Sequence, residues 1–425
     1  MKRSFALLSA VLCFSLSDVH AEADTLRIAM GEAEARMLRA NVQLLAQRLA
    51  AAETQALVRQ AAAWTNPSLA VEQNVYNQYT HRWLDTGPRG NTDIQIQQSF
   101  PFPGKRSSQV RMAELNAEAA SYETDDLSRA LRLALRTGMY DLFFLRRSLA
   151  FYDESIAAMG PTVSAMERVY EHRAVLLAEL LRLKSLLFSL QKERLGIVGR
   201  IAETQETLSI LLGDSSAVPR AYDPLIDLHA LEAVRLDTVN RENAVAFALA
   251  HRADLRKVDA QAALDDVNLS YQKTVPLPDF TFGGHWSRNG GYVPNYFGIT
   301  LGCELPIFNR NQGNIESAEV VVAADSLQRR GAREKVRREV ERALAKAMEA
   351  DQLFRSFDRS FPEEYRSLVA DMVSNYAKRN MSVVEFTDFI ESYRSSMRQM
   401  NELENDRADA LEALNDAAGA TFIAP

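Results

Sequence analysis

Ser99-Phe100-Pro101-Phe102-Pro103-Gly104-Lys105-Arg106 and Glu304-Leu305-Pro306-Ile307-Phe308-Asn309-Arg310-Asn311 hold matching places in the two halves of a 425-residue chain. The interval from Pro101 to Pro306 recurs, to within one residue, between Tyr170-Glu171-His172-Arg173 and Tyr376-Ala377-Lys378-Arg379. It recurs again between Gly213 and Gly419. Upstream, Asn66-Pro67 pairs with Leu277-Pro278, and the first segment between prolines is the longer of the two. Landmarks that keep their order and spacing mark an internal repeat, and a missed repeat misreads the whole fold. The chain therefore divides into a first repeat at 22–213, a linker at 214–237, a second repeat at 238–419 and a tail at 420–425.

Each repeat reads as a helix, two strands and a long helical hairpin. Residues 32–63 are rich in alanine and leucine and stop at Asn66-Pro67. In the first strand region, about 66–102, Leu69, Val71 and Val75 alternate with polar neighbours, and so do Ile94 and Ile96. In the second, about 278–307, Phe280, Phe282 and Trp286 alternate with Thr281, Gly283 and His285. There Phe297, Ile299, Leu301, Cys303 and Leu305 alternate with Tyr296, Gly298, Thr300, Gly302 and Glu304. Period-two alternation describes strands with one apolar face. Strands of roughly 10 residues are long enough to cross a bilayer, apolar face to lipid and polar face to a wet lumen.

The hairpins at 104–213 and 309–419 carry a seven-residue rhythm. Leu176, Leu183, Leu190, Ile197 and Leu211 fall on one position, and Leu180, Leu187, Ile201 and Leu208 on the other. Phe386, Phe389, Tyr393, Met400, Leu403, Ala410 and Leu414 keep a weaker register in the second hairpin. Such spacing predicts long helices packed as coiled coils. Gly160-Pro161 and Pro362 are expected to interrupt the two descending helices.

Composition narrows the function. The formal net charge of −7 argues against a nucleic-acid binder, whose affinity rests on neutralising phosphates. Residues 1–21 read as a signal peptide for export: Lys2 and Arg3, an apolar run from Phe5 to Leu16, then Val19 and Ala21 before a cut after Ala21 or Ala23. Of the two cysteines, Cys13 lies in that segment, so no internal disulfide is expected in the mature chain. Apart from the signal there is no apolar stretch long enough for a membrane helix, and the remaining way through a bilayer is a closed β-barrel. Four strands per chain leave two open edges, which lipid does not tolerate, so several copies must pool their strands. The fold class is thus mainly α with a small β part: long antiparallel coiled-coil hairpins and four transmembrane strands contributed to a shared barrel.

The signal peptide, twofold repeat, paired strands and long hairpins, with Tyr170 and Tyr376 opening equivalent tip motifs, resemble the TolC-type outer-membrane efflux channel family. The proline-rich strand ends at Gly104-Lys105-Arg106 and Asn309-Arg310-Asn311 resemble its heavy-metal branch. The resemblance implies a homotrimer embedded in outer-membrane lipid with a periplasmic helical tunnel. It also implies a periplasmic adaptor and an inner-membrane pump of the RND type as partners, with no enzyme activity and no cofactor. By the same resemblance Glu385 and Asp388 line a gate and selectivity ring, and Glu179 and Tyr376 link neighbouring helices to hold the gate shut. Tyr170, Arg173, Ala174, Arg379 and Asn380 form the periplasmic tip that meets the adaptor. The family's turn glycine is arginine in both turns here, so either another turn geometry or a left-handed Asn380 is expected. From the residues alone, Glu385 and Asp388 are three apart and share a helix face. Six scattered histidines, His20, His81, His172, His229, His251 and His285, show no His-x-x-x-His pair, and no metal site is expected. An exit duct for peptides or proteins, or a periplasmic coiled-coil scaffold without a pore, remain as alternatives at this stage.

Overall fold

The computed structural model describes residues 25–215, 220–289, 293–356 and 361–423; the signal segment lies outside them. The first repeat runs β1 (Thr25–Ala29), α1 (Met30–Ala40), α2 (Val42–Ala62), β2 (Ser68–Gln73), β3 (Tyr76–Asn77), β4 (Arg82–Trp83), β5 (Asn91–Phe100), α3 (Lys105–Glu171) and α4 (Leu177–Leu211). Between the repeats, in the stretch expected as a linker, lie β6 (Ala221–Leu225) and α5 (Leu228–Ala233). The second repeat runs α6 (Arg241–His251), α7 (Ala253–Thr274), β7 (Phe280–Asn289), β8 (Val293–Cys303), α8 (Gln312–Ser356), α9 (Phe361–Ala377) and α10 (Val383–Ala418).

One antiparallel sheet has the order β2-β5-β7-β8. Its register stacks Leu69 beside Ile96, Ile94 beside Trp286, Trp286 beside Phe297 and Phe282 beside Leu301. One face is therefore a continuous apolar surface, and it is bare: Ile299 is 91% exposed and Phe297 77%. The opposite face carries Gln95, Gln97, His285, Tyr296 and Thr300, with His285 Nε2 and Asp93 Oδ1 3.0 Å apart. An apolar face without protein cover is what a lipid-facing sheet needs. Strands β2 and β8 are its open edges.

Below each strand hangs a helix. The 67-residue α3 is about 100 Å long at roughly 1.5 Å per residue. The interruption expected at Gly160-Pro161 does not occur: Pro161 lies inside α3. The missing N–H removes one intrahelical bond, and the neighbouring α4 and α10, which pack along α3, hold the helix through that loss. Pro362, by contrast, is the second residue of α9, in the first turn, where its missing N–H has no partner to lose. Four of the five residues expected at the first heptad position are buried or half-buried, but Leu176 is 69% exposed because it caps α4 rather than packing within it.

The long helix expected over 32–63 is two helices broken at Asn41. That side chain accepts a bond from Leu44 N at 2.9 Å and donates to Leu211 O at 3.1 Å, so the break is tied to the end of the hairpin. The second repeat breaks at Arg252, whose Nη1 reaches Ala417 O at 3.2 Å and Glu339 at 2.9 Å. Each hairpin ends beside its break in a glycine with positive φ, Gly213 (64°) and Gly419 (85°). A Cβ on Gly213 would lie 2.2 Å from Ala40 O, so close approach as well as φ demands glycine there. Positive φ also turns each strand into its descending helix, at Gly104 and Asn311. Around the waist of the molecule, β1 pairs parallel with β6, and α5 packs with Tyr140, Phe144, Leu344 and Leu411 into one core cluster.

Candidate functional site

The far ends of the hairpins, some 100 Å from the sheet by helix length, gather the residues singled out in the sequence. The α3–α4 turn closes with Arg173 N to Tyr170 O at 2.8 Å and Ala174 N to Val169 O at 3.2 Å. The α9–α10 turn repeats this with Arg379 N to Tyr376 O at 3.0 Å and Asn380 N to Asn375 O at 3.0 Å. This bond pair is the Schellman motif, which requires its penultimate residue in the left-handed region. Arg173 (φ 60°) and Arg379 (φ 61°) occupy it themselves. The expectation of another turn geometry, or of Asn380 in that position, is thus corrected: the glycine geometry is kept and an arginine is forced into it. The Cβ–carbonyl crowding this brings costs about 1 kcal/mol per turn. Tyr170, Arg173, Ala174, Arg379 and Asn380 are all exposed.

The two turns are held together by one apolar cluster in which Leu183, Leu186 and Leu190 of α4 meet Tyr376, Phe386 and Ile390. Tyr376 stacks on Phe386 with ring centroids 4.5 Å apart and planes 12° from parallel. Its ring is 5% exposed, and its hydroxyl has no hydrogen-bond partner among the described residues. Burial, then the nearby Glu179 carboxylate, push that hydroxyl up to about 12, while Arg379 pulls the other way. The structure therefore brings Glu179, Tyr376 and Arg379 into one electrostatic neighbourhood. Met381, just past the turn, packs against the same apolar cluster.

Glu385 and Asp388 lie exposed on α10, turned away from the face formed by Val383, Phe386 and Ile390. Glu385 also has a local role that sequence reasoning missed. Ser382 Oγ accepts from Glu385 N at 3.2 Å, and Glu385 Oε2 accepts from Ser382 N at 2.9 Å and Ser382 Oγ at 2.8 Å. This capping box was legible in Ser382-Val383-Val384-Glu385. It pins the carboxylate at the start of α10, and the Ser382 bonds lower its proton affinity, keeping it charged. Among the described residues no three His, Cys, Asp or Glu side chains are grouped to hold a metal ion.

A sheet with a bare apolar face, continued by two hairpins that end in a charged tip, is the geometry of a membrane-anchored duct wall. The family model described as outer membrane efflux protein matches residues 35–214 and 245–420. The chain belongs to the outer membrane efflux protein family. Like its family, this efflux protein is an outer-membrane channel subunit and not an enzyme. The nickel-cobalt-cadmium resistance protein NccC of Alcaligenes xylosoxydans xylosoxydans is 25% identical over 270 residues. That match spans 62% of this efflux protein and 58% of NccC. Solved structures share the fold. CusC aligns with a TM-score of 0.73 at 16% identity, covering 92% of each chain. A Pseudomonas aeruginosa membrane protein aligns at 0.74 and 15% identity, covering 99% of each. VceC of Vibrio cholerae aligns at 0.70 and 17% identity, covering 93% of this chain and 97% of that one.

Proposed function

We propose that three copies of this chain form a trimeric exit duct for metal cations, in which a periplasmic adaptor and an inner-membrane pump of the RND type engage the tip and open it. The carrying observation is the four-stranded sheet with an uncovered apolar face and two open edges. Lipid forbids unpaired edges, so β2 of one copy pairs with β8 of the next until the barrel closes. The hairpins below pool likewise into a tunnel. The metal cargo rests on the likeness to NccC and on the tip's acids. Three copies of Glu385 and Asp388 set up to six carboxylates around the narrow end, and a ring of that sign favours cations over anions. Glu179 and Tyr376 are the gate-linking pair: the buried hydroxyl of Tyr376 finds its missing partner across the closed assembly.

Planar-bilayer recordings of the purified trimer test the ring. Glu385→Gln with Asp388→Asn is expected to cut the preference for potassium over chloride by about tenfold, the scale on which a charged cleft concentrates counter-ions. Unchanged selectivity would remove these residues from the conducting path. The cargo is tested by deletion: the strain becomes sensitive to nickel, cobalt or cadmium. Sensitivity to dyes and detergents alone would overturn the metal assignment.

A further inference from the structure

Arg173 and Arg379 are a duplicated anomaly. Two other helix ends in this chain, at Gly213 and Gly419, meet the same left-handed requirement with glycine. The two tip turns use arginine, the residue there being exposed in both. Neither guanidinium has an ion pair or a side-chain hydrogen bond among the described residues. Arg168 and Arg182, on the helices flanking the first turn, are also exposed and without an ion pair among the described residues, but neither has a positive φ, so the strained backbone sets Arg173 and Arg379 apart. Favourable interaction with the helix dipole does not explain the choice. Arg168 in the last turn of α3 and Lys378 just past the end of α9 already place a cation near each helix C-terminus in an unstrained conformation. Strain held at two equivalent exposed positions, with the charged group left unpaired, points to a use outside the chain.

We propose that Arg173 and Arg379 are docking residues for carboxylates on the tip of the partner protein, so that the trimer presents a ring of guanidinium groups to an acidic surface. This rests on the reading of the tip as the site of adaptor engagement and names the chemistry of that contact. Guanidinium suits the task because its planar fork grips a carboxylate with two parallel bonds. The left-handed backbone is part of the device, since it turns the arginine out of the helix line at the apex of each hairpin. The partner complementary to this ring presents Asp or Glu at the end of its own loops or hairpins. A basic or apolar tip would meet like charge or an unpaired cation.

Three double variants in the full-length chain separate charge from geometry, each tested beside a deletion strain. Arg173→Gly with Arg379→Gly keeps the turn, relieves its strain and removes the charge. Arg173→Lys with Arg379→Lys keeps the charge, and Arg173→Glu with Arg379→Glu reverses it. The glycine variant is expected to form trimers that melt at or above the wild-type temperature yet confer at least about tenfold lower survival in metal. The lysine variant should retain most resistance and the glutamate variant none. Suppressors selected from the glutamate strain should map to acid-to-base changes in the partner's tip. Wild-type resistance in the glycine or glutamate variant, with normal trimers, overturns the proposal. Suppressors that remove basic residues from the partner instead also overturn it, because the contact would then have the opposite sign. A deletion strain as resistant as wild type would defeat the efflux reading itself, independently of the arginines.

Discussion

Arg407→Ala is expected to destabilise the folded subunit by about 3–5 kcal/mol, the range for removing one member of a buried ion pair. Arg407 is 1% exposed at the waist of the molecule. Its Nε and Nη2 each lie 2.8 Å from Asp351, Nη1 donates to Leu231 O at 2.8 Å, and Nη2 donates to Val234 O at 3.1 Å. The guanidinium also sits 4.6 Å from the centre of the Phe354 ring. One side chain thus ties α10 to α8 and to the carbonyls at the end of α5. Alanine leaves Asp351, itself 5% exposed, with Arg355 at 2.8 Å as its remaining cation, and leaves a cavity besides. The waist holds both repeats together, so loss is expected as failed assembly in the outer membrane as well as a lower melting temperature. The double variant Arg407→Met with Asp351→Asn should be much milder, because it removes the stranded charge and fills the space. Equal damage from both would mean that packing rather than charge burial sets the cost.

Stability should fall as pH rises from about 4 to about 7, and Asp409→Asn should remove most of that fall. Burial, then Asp141 and Asp406, push the Asp409 carboxyl from 3.8 to about 7, with Glu412 adding to the rise and Lys346 opposing it. Its Oδ1 is buried without a hydrogen-bond partner among the described residues. The facing Asp141 is already engaged by Asn405 Nδ2 at 2.6 Å. A carboxyl with a raised folded pKa binds its proton more tightly in the folded state than in the unfolded one. Its contribution is therefore fully present below 3.8 and is lost as pH climbs through about 7. At about 1.4 kcal/mol per unit the full swing is about 4.5 kcal/mol, and partial exposure brings the expected value nearer 2–3 kcal/mol. Thermal melts across pH should show Asp409→Asn matching wild type at pH 4 and exceeding it at pH 8. Glu412 and Asp416, also raised chiefly by burial, act in the same direction, so some slope remains in the variant. Parallel curves at every pH would show that Asp409 stays ionised.

The strands were legible because a lipid-facing sheet writes a strong period-two signal, with Phe280, Phe282, Phe297, Ile299 and Leu301 all on one face. The hairpins were legible because Leu183, Leu190, Leu208 and Leu414 recur at coiled-coil spacing and are buried. What escaped depends on distant partners. The five-residue β1 is stabilised by β6, almost two hundred residues away in sequence, and neither segment alternates cleanly enough to announce itself. Arg252 breaks a helix through bonds to Asp254, Glu339 and Ala417, not through any local capping signature. At the tip, the turn glycines' absence suggested a changed turn, yet the Schellman bonds kept their geometry and the arginines accepted the strain. Conversely, Leu186 carries no heptad label and is still buried, since α4 packs against more than one neighbour.

In the proposed trimer, the open edges of the sheet pair between copies. Disulfide trapping in intact cells tests it, with Cys303→Ser as background, cysteines at Leu69 or Val71 on β2 and at Ile299 or Leu301 on β8. Oxidation is expected to yield, for at least one combination, a ladder ending in a covalent trimer recovered with the outer membrane, while either cysteine alone gives none. A mature protein that stays monomeric under every combination and leaves the cell with the periplasmic fraction would contradict the account.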